Sequence, residues 1–218
     1  MYKAVLFDFD GTLVDTLDNI SYCARESLQA IGIEDHTTKE TFQYLVGNGA
    51  DLLVHRFLAL HNRDNNQDFS VVCSEFRRLY QENPVYLAKI YDGILPLLQQ
   101  LKQEEKKLGI ITNKPHATAL LCTERLFGTE LFDDCCGQQE NIPIKPDPTG
   151  AKKMLEQFKV APNQTVYLGD TGVDMQTGKA LGAFTVGALW GFRKREELEQ
   201  NGADAIISHP MELLDLID

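Results

Sequence analysis

The sequence predicts a doubly wound α/β fold: a mainly parallel, Rossmann-like sheet interrupted by an all-helical insert. Two observations carry this. Three short apolar runs, Ala4–Phe7, Leu108–Ile111 and Val166–Gly169, show no polar alternation, and each ends on a polar side chain, Asp8, Thr112 or Asp170. Strands buried on both faces of a parallel sheet have this pattern, because neither face meets water. Strand-like and helix-like stretches also alternate from Tyr91 to the C-terminus, the order that a parallel sheet with crossover helices requires. Ligands of such sheets sit beyond the carboxyl ends of the strands, where strand order reverses. Asp8, Thr112 and Asp170 are therefore expected along one edge.

Taken in order, the first strand, Ala4–Phe7, is not followed by the next one at the short range usual in a compact α/β unit. Apolar stripes at helical spacing intervene: Leu17, Ile20, Ala24, Leu28 and Ile31; then Leu52, Leu53, Phe57 and Leu60; then Val72, Phe76, Leu79 and Tyr80. Residues 15–84 are expected to form the helical insert, with the polar stretch Asn62–Asp68 as a loop inside it and Pro84–Gly93 as the return hinge. Residues 1–14 and 85–218 are expected to form the α/β core. Within that core, Leu95, Leu98 and Leu101 mark one helix, and Ala117, Leu120, Leu121, Glu124 and Phe127 mark another. Leu131–Cys136, Phe184–Gly187 and Ala205–Ile207 are further strands.

Charge and composition exclude several classes of function. The 218 residues hold 32 acidic and 21 basic side chains, a formal charge of −11, where a phosphate-backbone binder needs a basic footprint. No apolar run approaches the ~20 residues of a membrane span. The N-terminus lacks the long apolar stretch and cleavage site of a signal peptide. The five cysteines are odd in number and without a CxxC spacing, a poor disulfide or zinc framework, so the thiols are expected to be reduced in a cytoplasm. The vicinal pair Cys135–Cys136 is expected to be inert. A monomer and a homodimer are equally compatible with the sequence.

The chemistry concentrates in Asp8-Phe9-Asp10-Gly11-Thr12. Two carboxylates at i and i+2 after a buried strand are costly unless a cation or a phosphate chemistry uses them. Gly11 permits a sharp turn and a close approach to a ligand. A plain Asp-Gly turn is the bland alternative.

Three further segments complete a set. Thr112 ends the second strand, in Ile111-Thr112-Asn113-Lys114. Lys145 precedes Pro146-Asp147-Pro148. An acidic pair lies in Gly169-Asp170-Thr171-Gly172-Val173-Asp174. In this order, the four segments resemble the motifs of the haloacid dehalogenase superfamily of aspartate-nucleophile phosphatases, and the resemblance spans essentially the whole chain. The insert after the first motif looks like the cap of its phosphoglycolate phosphatases, with Val46–Leu53 especially similar to bacterial members.

The resemblance implies a Mg²⁺-dependent phosphate monoester hydrolase acting through an aspartyl phosphate on a small phosphorylated metabolite, 2-phosphoglycolate foremost. Asp8 would be the nucleophile, and Asp10 would protonate the leaving alkoxide and then deprotonate water. Gly11, Thr112, Asn113 (through its backbone) and Lys145 would bind the phosphoryl oxygens. Asp8, the Asp10 carbonyl and Asp170 would hold Mg²⁺, with Asp174 in an outer position orienting metal waters or Lys145. Capping of the following helix is the alternative for Asp170 and Asp174. Gly47, Asn48 and Gly49 would form a cap loop over the substrate, a plain helix–helix turn being the alternative.

Lower-ranked readings complete the set. Lys114 adds positive potential near the phosphate or is solvated. Arg193-Lys194-Arg195 is a solvated helix start, Trp190 and Phe192 are core, with packing under a loop that edges the site as the alternative, and the five histidines share no metal spacing. The competing functions are a phosphosugar mutase, which tends to carry Glu-Asp where this chain has Gly169-Asp170, an inorganic pyrophosphatase of the same superfamily, and a non-catalytic phosphate-binding protein, which would gain little from clustering Asp8 and Asp10.

Overall fold

The structure is a computed structural model describing residues Met1–Ile217. In chain order its elements are β1 (Ala4–Phe7), β2 (Val14–Asp15), α1 (Leu17–Leu28), α2 (Lys39–Phe42), α3 (Ala50–Leu60), α4 (Asn66–Glu82), β3 (Lys89–Ile90), α5 (Ile94–Gln103), β4 (Lys107–Pro115), α6 (His116–Phe127), β5 (Asp134–Gln138), α7 (Thr149–Phe158), β6 (Thr165–Gly169), α8 (Gly172–Leu181), β7 (Phe184–Ala188), α9 (Arg195–Gln200), β8 (Ala205–Ile207) and α10 (Glu212–Ile217). The chain divides into two compact units. One comprises Met1–Asp15 and the chain from Ile90 onwards; the other is Thr16–Lys89.

The larger unit is built on a six-stranded sheet in the order β5-β4-β1-β6-β7-β8, with every pairing parallel. Strand order reverses between β1 and β6, the switch point of a doubly wound sheet. β1 and β6 are buried along their whole length, which is why neither shows polar alternation. Leu6 and Tyr167 pack with Met154 and Leu155 of α7 and Leu181 of α8 on one side of the sheet. Phe7 meets the Phe132 ring edge-on at 6.1 Å, and Phe132 in turn meets Phe127 of α6 at 5.3 Å.

Two strands differ from the expectation: β4 runs past Ile111 to Pro115, so Thr112 lies inside the strand and does not end it, and the strand expected at 131–136 begins later. Leu131 and Phe132 precede β5, with Phe132 serving as an aromatic plug and Asp133 accepting from Leu108 N–H at 2.9 Å. The apolar pair therefore packs from a loop, and pairing begins at Asp134.

The smaller unit is all-helical, with α1 and α3 packed on α4 and Phe42 edge-on to Phe57 at 5.4 Å. The fully buried Asn19 ties α1 to the outgoing chain: its amide donates to the carbonyls of Asn83 (2.9 Å) and Pro84 (3.3 Å) and accepts from Leu87 N–H. The expected loop 62–68 is shorter than its composition suggests. Asn65 caps α4, its Oδ1 accepting from the N–H groups of Gln67 (3.1 Å) and Asp68 (3.0 Å), so the polar residues from Asn66 onwards form the first helical turn.

Candidate active site

The register of the sheet brings the polar strand ends together. Phe7 pairs with Ile110 on one side and Leu168 on the other, so Asp8, Thr112 and Asp170 follow at nearly the same level. Asp8 N–H donates to Leu168 O at 2.9 Å, extending the ladder into the Asp8–Thr12 segment. β4 adds an irregularity: its register against β5 shifts between Ile111 and Pro115. A bulge there breaks simple alternation and re-aims the side chains of Thr112, Asn113 and Lys114, all three buried.

Asp8, Asp170 and Asp174 each offer a ligand atom within 4.8 Å of the others. Lys145 bridges two of them, with Nζ 2.7 Å from Asp8 Oδ1 and 2.7 Å from Asp174 Oδ1. Its side chain is 4% exposed, so both ion pairs are shielded from water. Asp174 Oδ2 accepts from the hydroxyl (2.6 Å) and N–H (3.1 Å) of Thr171, closing a capping box at the start of α8. Asp174 thus caps the helix and holds Lys145 at once. Asp170 is fixed by the Thr12 hydroxyl on Oδ1 (2.8 Å) and Phe192 N–H on Oδ2 (2.7 Å).

Lys145 bridges Asp8 and Asp174, and Asp170 lies in the same buried cluster, so three carboxyl groups gather around one ammonium, a surplus of acidic groups in a buried place. The ionisation of the cluster reflects that surplus. Burial pushes Asp170 up to about 7, with the Asp174 charge adding to it. Burial and the charges of Asp174 and Asp170 hold Asp8 well above the usual carboxylate range despite Lys145. Burial alone would lower Lys145, but Asp174 and Asp8 outweigh it and keep the ammonium charged. Hard oxygen donors with this acidic surplus fit a hard divalent cation.

Gly11 adopts φ +88°, and a side chain there would collide with the Asp170 carboxylate, so glycine is what lets this turn close on the acidic motif. Its own N–H donates to Val14 O at 2.9 Å. The Thr112 hydroxyl accepts from Lys114 N–H at 3.2 Å. The Asn113 side chain clamps the backbone of Lys145, accepting from its N–H (2.8 Å) and donating to its C=O (3.3 Å); the Lys145–Pro146 peptide is cis.

Gly47, Asn48 and Gly49 lie in the helical unit, immediately before α3. Both glycines have positive φ, +115° and +89°, and Asn48 Oδ1 accepts from Arg56 at 3.0 Å.

Several residues of the site had only weak sequence signals. Thr12 belonged to the first motif, but its bond to Asp170 did not follow from spacing. Phe192 and Trp190 edge the site: Phe192 supplies a backbone donor to Asp170, and Trp190 Nε1 donates to Thr12 O at 2.9 Å. Arg193 is 8% exposed and lies 3.4 Å from Glu197, so the basic triplet is not wholly solvated; α9 begins only at Arg195. Lys114, expected either near the phosphate or in solvent, is buried and paired with Asp10. Burial pushes the Cys135 thiol up to about 12 and Cys136 upward, which makes both poor nucleophiles at neutral pH. Among the described residues no helix is long and apolar enough to cross a membrane.

Known proteins agree with this geometry. The sequence model of the haloacid dehalogenase-like hydrolases matches residues 5–188. The chain is 31% identical to the phosphoglycolate phosphatase of Aquifex aeolicus (strain VF5), over 99% of this chain and 97% of that protein. It is 30% identical to the N-acetylmuramic acid 6-phosphate phosphatase of Pseudomonas aeruginosa, over 99% and 95%. A crystal structure from Lactobacillus delbrueckii subsp. bulgaricus, assigned as a phosphoglycolate phosphatase, superposes with a TM-score of 0.93 at 26% identity, covering 99% of this chain and 98% of that one. With its four motifs converging at the switch point of a parallel sheet, the chain belongs to the haloacid dehalogenase-like hydrolase family and resembles that family's phosphoglycolate phosphatases.

Proposed function

We propose that this chain is a Mg²⁺-dependent phosphate monoester hydrolase that works through an aspartyl phosphate on Asp8, with a small phosphorylated carboxylic acid, 2-phosphoglycolate foremost, as its substrate. The observation that carries this reading is the sharing of Lys145 by Asp8 and Asp174 beside Asp170, while Asp10 is held apart from that cluster.

In the first half-reaction an Asp8 oxygen bonds to phosphorus, the ester P–O bond breaks, and Asp10 gives its proton to the departing oxygen. In the second, water attacks phosphorus, Asp10 takes the water's proton, and the Asp8–phosphorus bond breaks to release inorganic phosphate. Lys145 and the Thr112 hydroxyl neutralise and orient the phosphoryl oxygens, where most of the transition-state charge resides. Asn113 holds Lys145 in place through its backbone. Asp8 and Asp170, with the Asp10 carbonyl, would hold the cation, and Asp174 would be left to Lys145 and Thr171. When bound, Mg²⁺ would supply positive charge that lets an anionic phosphate approach an anionic nucleophile.

These groups address only the phosphoryl end, so we assign choice of the leaving group to the helical unit. Its Gly47–Gly49 loop sets the Asn48 amide beside the Arg56 cation, donors of the kind that a carboxylate takes. The names of the Aquifex and Pseudomonas relatives both specify phosphorylated acids, which supports this class.

The test is a panel of phosphate esters and pyrophosphate, with and without Mg²⁺, on wild type and Asp8→Asn. Mg²⁺-dependent hydrolysis with 2-phosphoglycolate preferred, and a loss of at least ~10³-fold in Asp8→Asn, is expected. Full activity in excess chelator would defeat the metal assignment. Preference for the muramic acid ester, hexose phosphates or pyrophosphate would move the substrate and leave the chemistry standing.

A further inference from the structure

Asp8 and Asp10 leave the same strand two residues apart, yet each carboxylate has its own lysine. Asp8 is paired with Lys145; Asp10 Oδ1 lies 2.9 Å from Lys114 Nζ. The Lys114 side chain is 2% exposed, its Nζ lies 5.4 Å from the centroid of the Phe9 ring, and its backbone N–H is bonded to Thr112 Oγ1. Burying an ammonium costs several kcal/mol unless it is paired, so this lysine is fixed by its site and has no place in the solvated layer. The irregularity at the end of β4 delivers it there. Among the described residues the cluster of ligating atoms comprises Asp8, Asp170 and Asp174, and the Asp10 side chain is turned to Lys114 instead.

Resting on the phosphatase reading above, we propose that Lys114 is the positioning residue of the proton-transfer group, holding Asp10 by one carboxyl oxygen so that the other faces the departing and attacking oxygens. An ammonium has three donors and no acceptor, so it engages Oδ1 whether or not Oδ2 carries a proton, and it never competes to receive that proton. An amide or a water in the same place can turn round and accept. The proton itself passes between Oδ2 and the leaving alkoxide in the first step, and from water to Oδ2 in the second; Lys114 gives up none. Pairing each carboxylate with a separate lysine also keeps the acid–base group off the phosphorus, although both arise from one tight motif.

The distinguishing measurement is leaving-group dependence. A departing alkoxide needs its proton, whereas p-nitrophenolate leaves nearly unaided, so misplacement of Asp10 falls on alkyl esters. Lys114→Met keeps the stem and removes the donor. On the alkyl phosphate that wild type cleaves best, kcat/KM is expected to fall about 10- to 100-fold, part of the 10²–10⁴ that general acid–base catalysis supplies; on p-nitrophenyl phosphate it should fall only a few-fold. Lys114→Arg, which keeps a donor-only cation, should recover most of the loss. In an Asp10→Asn background, Lys114→Met should cost nothing further on either ester.

Equal losses on both esters, or an undiminished loss in the Asp10→Asn background, would overturn the proposal while leaving the phosphatase reading intact. A wild-type enzyme that hydrolyses neither ester overturns both. Should Lys114→Met fail to fold, Lys114→Gln against Lys114→Arg makes the same comparison, since glutamine keeps hydrogen-bonding capacity without the donor-only charge.

Discussion

Asn113 shows how a residue beside the chemistry can matter through another residue's backbone. Its amide occupies both the N–H and the C=O of Lys145, the two groups that fix where that ammonium points. All of this is buried, so truncation leaves polar atoms without water to replace the lost partner. Asn113→Ala is therefore expected to cost about 1–3 kcal/mol of stability. It should also raise KM for phosphate esters as Lys145 loses its anchor; denaturant midpoints and steady-state kinetics measure the two effects. An unchanged KM would restrict Asn113 to a structural role. Residues of this kind explain what was legible in the sequence at this scale. Asp8, Asp10 and Asp170 stand out because their charge is anomalous beside buried strands, and Lys145 through the family resemblance of its Lys-Pro-Asp-Pro segment. The side-chain role of Asn113 and the pairing of Lys114 depend on a bulge in β4 that leaves no mark in composition or period.

Packing between elements sets a second kind of constraint, seen where β4 crosses β1. Gly109 sits opposite Leu6, and α7 lays Met154 and Phe158 over the same spot, so a side chain at 109 would meet Met154 Sδ, Leu6 Cδ2 and Phe158 Cε2. Gly109→Ala is expected to destabilise by about 1–3 kcal/mol through overpacking. Met154→Ala, which opens a cavity in the same layer, should cost about 2–5 kcal/mol. In the double variant the added methyl occupies part of that cavity, so the combined loss should fall short of the sum by at least ~0.5 kcal/mol. Strict additivity in chemical denaturation would mean that α7 shifts away from the sheet. Elements were legible in proportion to burial. β1 and β6 are buried throughout because both faces are covered; the bounds of β1 match its apolar run, and β6 begins one residue earlier, at Thr165. β5 was misplaced toward Leu131 because Phe132 is apolar for the sake of Phe7 and Phe127, not for a strand. The first turn of α4 passed for loop because capping residues and turn residues are the same polar set.

At the scale of the whole molecule, an acidic chain of formal charge −11 buries three of its carboxylates beyond the carboxyl ends of its central strands, and this makes stability depend on pH and on cations together. Burial, then the Asp174 charge, raises Asp170 to about 7 in the folded protein, and Asp8 is raised as well; an unfolded aspartate titrates near 4. Between about pH 4 and pH 7 the folded state therefore binds more protons than the unfolded one, and stability falls as pH rises through that window. The contribution is fully present below the unfolded value and is lost once pH passes the folded one. For a shift of this size the loss is on the order of a few kcal/mol. A divalent cation that displaces those protons should restore the loss at pH 8 and do little at pH 5, where protons already occupy the carboxylates. Chelator-treated protein is thus expected to unfold at a lower temperature at pH 8 than at pH 5. Millimolar Mg²⁺ should raise the pH 8 midpoint by several degrees, at roughly 2–4 °C per kcal/mol for a chain of this length. Asp170→Asn separates the cluster from the general repulsion of an acidic surface, because asparagine stays neutral throughout. Its pH slope should be shallower and its Mg²⁺ shift smaller, whereas the surface contribution stays the same. An equal Mg²⁺ shift at both pH values, or an unaltered slope in Asp170→Asn, would place the cation elsewhere than between Asp8 and Asp170.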